Sequence, residues 1–256
     1  MGLVSQYWIE LNRGYSLKTI AVIPCLNESQ KIAGIVFGLK KLVDMCIVVD
    51  DNSSDETVAR AKEAGAYVVR RIGKHGFGFT SKVGIKKALN KGGDIIVTLD
   101  GDGQHTLSDI HSLLEPIEKG EADVVVGSRF LPESNSIVPR YRKFGIKLIT
   151  LLYNFGSSKK LSDSQCCIRA FRREVLSTMS ISEGGFTFSV ESLIKARHMG
   201  FRIIEVPVTV IYHKKFSQNS TLNPIRQGLE VAWGAIRVRL QVELLDNIKR
   251  LFGGEK

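Results

Sequence analysis

Asp100 and Asp102 are the residues best suited to chemistry. They lie in Asp100-Gly101-Asp102-Gly103-Gln104-His105, directly after the apolar run Ile95-Ile96-Val97-Thr98-Leu99. A run this rich in β-branched residues reads as a buried strand. Side chains at i and i+2 point to the same side of an extended chain. Two carboxylates on one side, at the carboxyl end of a strand, suit a hard divalent cation such as Mg²⁺ or Mn²⁺, which in turn would hold phosphate oxygens. Gly101 and Gly103 let the backbone come close to a ligand. Taken alone, an Asp-x-Asp is more often a polar turn after a strand, so the surrounding elements must decide.

Those elements alternate. Strands are expected at 19–23 (stopped by Pro24), 45–49, 66–69, 94–99 and 122–126. Helical spacing covers about 28–41, then Asp55 as N-cap to Ala64 with Gly65 as the stop, about 79–90, and 108–119. This order predicts an α/β fold with a mostly parallel, doubly wound, Rossmann-like sheet. Ligands in such sheets sit at the carboxyl ends of the strands. Asn27/Glu28, Asp50/Asp51, Asp100/Asp102 and Ser128/Arg129 all fall at those ends. Beyond about 130 the pattern changes. A loop at 134–139 leads to a basic, then apolar segment at 140–155, a strand is expected at 206–212, and a long amphipathic helix spans 223–252. The expected organisation is an N-terminal extension (1–17), one α/β domain (18–215) and a C-terminal amphipathic helical tail (216–256).

Composition narrows the partners. The chain has 256 residues and a formal net charge of +10, which points to anionic partners: nucleotides, nucleic acid or an anionic membrane surface. No nucleic-acid motif is recognisable, and two bare aspartates would repel phosphate, so nucleic acid is not expected. No apolar run is long enough to read as a transmembrane helix, and residues 1–13 lack the pattern of a secretory signal. Cys25, Cys46, Cys166 and Cys167 form no metal-ligand spacing and no disulfide framework, so a reducing cytoplasm is the expected compartment.

Further segments stand in order along the chain: Pro24-Cys25-Leu26-Asn27-Glu28, Val48-Val49-Asp50-Asp51-Asn52-Ser53-Ser54-Asp55-Glu56-Thr57, the Gly-rich Gly76 to Ile85, the Asp-x-Asp segment, Val126-Gly127-Ser128-Arg129-Phe130, and Leu161 to Phe171. Together they resemble the motifs of the family 2 glycosyltransferases of the GT-A fold, most of all the dolichol-phosphate mannose synthases and polyprenyl-phosphate glycosyltransferases. The resemblance implies a nucleotide site at Pro24, Leu26, Asn27, Glu28, Asp50, Asp51, Asp55, Lys82, Asp100 and Gly101. It implies a metal, Mg²⁺ or Mn²⁺, on Asp100, Asp102 and Gln104. It implies an acceptor phosphate held by Arg129, Arg140, Arg169 and Lys214, with Asp102, Arg129 and Asp163 as the catalytic set. The chain departs from the family pattern at Phe77 and Lys82, where other residues are usual, and at Cys166-Cys167, which replaces a pair that commonly includes glycine. It has no Gln-x-x-Arg-Trp, the mark of processive polymerases, and no clear Glu-Asp pair where many relatives keep a base.

The missing base agrees with the implied acceptor. A phosphate monoester, with a second pKa of about 6, is already anionic at neutral pH and needs positioning more than deprotonation. The expectation is an inverting transfer of mannose or glucose, from GDP-mannose or UDP-glucose, to a polyprenyl or dolichyl phosphate. The alternative is a soluble enzyme of the same family with a sugar or protein hydroxyl acceptor. A lipid acceptor needs a docking surface. Residues 140–155 and the tail, with Trp233, Arg237 and Arg239, carry the apolar and basic character of interfacial helices, which predicts peripheral membrane association. The tail could equally serve a homodimer or a small membrane partner.

Overall fold

The computed structural model describes residues 16–71, 76–157, 159–180, 187–212 and 224–252, the last helix with side chains over 228–242. Lys214 and most of the 1–17 extension lie outside the described residues. The strands are β1 (Thr19–Cys25), β2 (Met45–Asp50), β3 (Tyr67–Arg70), β4 (Ile95–Thr98), β5 (Val124–Ser128), β6 (Arg169–Arg172) and β7 (Ile203–Pro207). The helices are α1 (Ile32–Leu39), α2 (Thr57–Glu63), α3 (Phe77–Asn90), α4 (Asp109–Glu118), α5 (Arg140–Asn154), α6 (Arg173–Thr178), α7 (Thr187–His198) and α8 (Pro224–Phe252).

The strands form one sheet in the order β3-β2-β1-β4-β6-β5-β7. All neighbouring pairs are parallel except those of β6, which runs antiparallel to both β4 and β5. Alternating residues explain the two layers. Ala21, Ile23, Val48, Val97 and Val125 face α1, α2 and α4, whereas Ile20, Val22, Val49, Ile96 and Val126 face α3, α5, α6, α7 and α8. Burial on both faces is why these strands read as continuous apolar runs. Helix α3 lies so close to the sheet that a Cβ on Gly84 would overlap the side chains of Val22 and Val49.

Several expectations shift. Pro24 does not stop β1, because Cys25 O accepts Asp51 N–H on the β2 side and Pro24 therefore faces the β4 side. There the last pairing is Val22 with Thr98, so the missing N–H costs no ladder bond. Asp55 does not cap α2 from the N-cap position, which belongs to Glu56; it accepts the N–H of Thr57 instead. The strand expected at 206–212 begins three residues earlier and ends at Pro207 on a sheet edge, and Val210 then forms a lone antiparallel bridge with His105. Strand β6 had no sequence signal of its own. It is four residues long, and its terminal arginines are buried by hydrogen bonds to other groups. Helix α8 packs Val231, Ala235, Val238 and Val242 into the second core layer, so this stretch of the tail is part of the α/β body.

Candidate active site

The Asp-x-Asp loop leaves the end of β4 beside the end of β1. Gly101 is required there, since a Cβ would overlap Cys25 Sγ and lie 3.2 Å from Pro24 O. Gly103 has φ +70°, in the left-handed region where a side chain is strained. Asp102 Oδ1 accepts Gln104 N–H at 3.0 Å. Burial first, and the negative charge of Asp100 second, raise the Asp102 carboxyl above its ordinary value. Asp100 has a 29% exposed side chain, and His105 Nε2 lies 3.9 Å from its Oδ2. Burial and then the charges of Glu28, Asp50, Asp100 and Asp102 push the Cys25 thiol well up, so four acids converge on the ends of β1, β2 and β4. Among the described residues no three His, Cys, Asp or Glu side chains are grouped to hold a metal ion. A cation on this loop would take Asp100 and Asp102, with the Gln104 amide, and fill its remaining positions from water or a ligand. The raised Asp102 carboxyl fits that donor set, because a cation relieves the repulsion that holds it up.

The residues assigned to the nucleotide divide into two groups. Asn27 (φ 56°) donates its N–H to Ser53 Oγ and accepts Ser54 N–H on Oδ1. Burial alone would raise the Asp55 carboxyl, but the hydrogen bonds it accepts from Thr57 and Ser29 together outweigh that and draw it down to about 2. Asp50 is fully buried, accepts Ser53 N–H and pairs with Arg70 at 3.3 Å. Asp51 accepts Gly76 N–H and pairs with Arg71 at 2.7 Å. These four tie the loops together and shape the cleft. Leu26, by contrast, is exposed, and Pro24 and Lys82 are partly so. Lys82 makes no hydrogen bond or ion pair among the described residues. Glu28 pairs with Lys31 at 2.8 Å, yet burial still raises its carboxyl.

Arg129 leaves the end of β5 and is clamped by Asp163, with Nε to Oδ2 at 2.6 Å and Nη2 to Oδ1 at 2.8 Å. Burial alone would lower the guanidinium pKa; the Asp163 carboxylate outweighs it and raises it. Arg129 Nη1 donates to Tyr212 Oη at 3.0 Å. Asp163 is itself fixed by Glu205, which accepts the N–H groups of Ser162 and Asp163. The Cys166-Cys167 turn joins the two halves: Thr98 donates to Cys167 O, and the Cys167 thiol is pushed up by burial and then by Asp100.

The acceptor residues are not all brought together. Arg169 is 2% exposed and donates to the carbonyls of Cys166, Ser164 and Ser189, so its guanidinium clamps backbone inside the fold and cannot reach a ligand. Arg140 is exposed at the start of α5. Two other cations contact aromatic rings that neighbour Arg129. Arg142 lies over the Tyr212 ring at 5.4 Å, and Lys143 over the Phe130 ring at 6.0 Å. Sequence reasoning missed these roles, along with Glu205 and Tyr212. A lone acid in the apolar stretch Ile203-Ile204-Glu205-Val206 was the available signal for Glu205.

The model of the family "Glycosyl transferase family 2" matches residues 20–179, and the chain belongs to that family. It is therefore a glycosyltransferase. It is 29% identical to the polyprenol monophosphomannose synthase of Mycolicibacterium smegmatis, covering 87% of this chain and 89% of that protein. It is 31% identical to the UDP-N-acetylglucosamine–dolichyl-phosphate N-acetylglucosaminyltransferase of Methanococcus voltae, covering 75% and 84%. Its fold is shared with glucosyl-3-phosphoglycerate synthase of Mycobacterium tuberculosis, solved with Mn²⁺, UDP and product. There the TM-score is 0.66 at 21% identity, over 93% of this chain and 83% of that one.

Proposed function

We propose that this glycosyltransferase moves a hexose, mannose or glucose, from a nucleotide sugar to a polyprenyl phosphate at the cytoplasmic face of a membrane. The observation that carries the reading is the ground between Arg129 and α5. Arg142 lies over the ring of Tyr212, whose hydroxyl Arg129 also contacts, and Lys143 lies over Phe130, the residue after Arg129 in the chain; neither cation has a carboxylate partner among the described residues. From them α5 runs outward with Tyr141, Phe144, Leu148 and Leu151 exposed along one side, followed by Phe155. A cationic patch beside an apolar stripe matches a phosphate carrying a long hydrocarbon. The relatives named for transfer to polyprenol and dolichyl phosphate support the same acceptor class.

In this reading the acid loop at Asp100–Gln104 faces the donor diphosphate. A divalent cation held by Asp100, Asp102 and Gln104 would neutralise charge on the departing nucleoside diphosphate. Leu26, Glu28 and Lys82 border the nucleotide, while Asn27, Asp50, Asp51 and Asp55 keep the loops around it in place. Asp163, spent on Arg129, orients that guanidinium and accepts no proton. Arg129, Arg142 and Lys143 hold the acceptor phosphate near the anomeric carbon, with Arg140 and Lys214 as outer contacts. A phosphate oxygen forms the new bond to the anomeric carbon as the bond to the diphosphate breaks on the opposite side, and the configuration inverts.

The test is transfer from radiolabelled GDP-mannose and UDP-glucose to a short polyprenyl phosphate, with Mg²⁺ or Mn²⁺ and with EDTA. Metal-dependent label in an organic-extractable product is expected. Donor hydrolysis without lipid product would sink the lipid acceptor and move the reaction to a sugar or protein hydroxyl.

A further inference from the structure

The His105 side chain is only 7% exposed, and its Nδ1 is buried without a hydrogen-bond partner. Its Nε2 faces Asp100 Oδ2 across 3.9 Å. The backbone around it is fixed from outside the loop: Thr106 N–H donates to Thr209 O, Ile211 N–H donates to Gln104 O, and His105 bridges Val210. In such an extended stretch neighbouring side chains alternate, so His105 and Gln104 lie on opposite sides of the backbone. A buried imidazole with an unsatisfied nitrogen is costly and calls for a physical reason.

We propose that His105 is a positioning residue for the acid loop, its Nε2–H closing the 3.9 Å to one oxygen of the Asp100 carboxylate when a divalent cation is bound, so that the other oxygen is presented to that cation. This rests on the metal-site reading given above. In this proposal His105 is an outer partner and not a ligand, since the extended backbone puts it on the side opposite Gln104. With Nε2 as the donor, Nδ1 carries the lone pair, and this tautomer points the proton at the Asp100 carboxylate. Outer partners of this kind tune metal sites almost as strongly as the ligands.

Mn²⁺ binding to the full chain, followed by the electron paramagnetic resonance of free Mn²⁺ with and without UDP or GDP, tests this. His105→Phe keeps the ring and its burial but removes both nitrogens, and it should weaken Mn²⁺ about tenfold to a hundredfold. His105→Gln keeps an N–H near the Nε2 position and should restore most of that loss. Wild-type affinity in His105→Phe, or equal losses in both variants, would overturn the proposal and leave the glycosyltransferase reading intact. A wild-type chain that binds no Mn²⁺ would sink the metal-site reading itself. In the unsubstituted protein, long-range ¹H–¹⁵N correlation should report the Nε2–H tautomer, and an Nδ1–H tautomer would overturn the proposal whether or not the variants fold.

Discussion

Burial and the adjacent Asp100 hold the Asp102 carboxyl up, and that unfavourable state is what a cation would relieve. Asp102→Asn keeps the shape of the loop but removes half of the paired charge. It should lower metal-dependent transfer by at least about a hundredfold, since charge stabilisation of this kind is worth several kcal/mol. Initial rates at saturating donor read this out, and a near-normal rate would refute the assignment. In the proposed function Arg142 and Lys143 belong to the acceptor half of the site. Replacing both by alanine should raise the acceptor KM by about tenfold or more while donor hydrolysis stays unchanged, the pattern expected for lost acceptor binding. Arg169→Ala should instead destabilise the fold, because its guanidinium bonds only to groups inside the protein among the described residues.

At the scale of elements, the end of the sheet away from the site is held by one carboxylate. Asp123 pairs with Arg172 at 2.9 Å and Arg202 at 3.0 Å, joining the start of β5 to β6 and β7. Burial alone would raise its pKa, but the Arg202 hydrogen bonds and the Arg172 charge outweigh that and hold it below the usual carboxylate range. A depressed folded pKa adds stability above the unfolded value, and this is lost as pH falls through the folded one. Urea midpoints should therefore fall more steeply for the wild type than for Asp123→Asn as pH drops below about 4. At neutral pH Asp123→Asn should cost on the order of 1–3 kcal/mol, because both arginines lose a charged partner while Arg172 still pairs with Glu174 and Arg202 still donates to Gly120 O. Parallel pH curves for the two proteins would show that the network contributes little.

At the scale of the molecule, α5 and α8 pack together and each turns an apolar stripe to solvent. Arg239 ties them, donating to Leu152 O at 2.8 Å and lying over the Phe155 ring. Phe144 is 73% exposed on α5 and Trp233 67% exposed on α8, with Leu229, Ile236 and Leu240 beside the latter. Exposed Arg140, Lys143 and Lys147 accompany the first stripe, and no helix among the described residues is long and apolar enough to cross a membrane. A surface of this kind suits peripheral docking on anionic lipid. Co-sedimentation with anionic vesicles should weaken about tenfold or more for Phe144→Glu or Trp233→Glu, and should fall as salt rises. A wild-type chain that stays in the supernatant would refute docking.

Some of this was legible in the residues alone. Apolar runs separated by helical spacing determined the alternating α/β order, and the acids at the ends of β1, β2 and β4 stood out because nothing in a strand's own pattern requires them. These are local signals, carried by neighbours in the chain. Tertiary structure decided which polar groups remain available to a ligand. Arg129 and Arg169 are both arginines at strand ends in motif-like segments. Yet Arg129 is held by the Asp163 side chain and the Tyr212 hydroxyl, whereas Arg169 is buried on backbone carbonyls. Arg129 takes its partners 34 and 83 residues away, whereas Arg169 folds back on Ser164 and Cys166 close by as well as on Ser189 20 residues away, and spacing along a chain does not say which of these will happen. The same holds for β6, whose four residues become a strand only between β4 and β5. It holds too for the start of α5, whose cations gain meaning from Tyr212 and Phe130 arriving from distant segments.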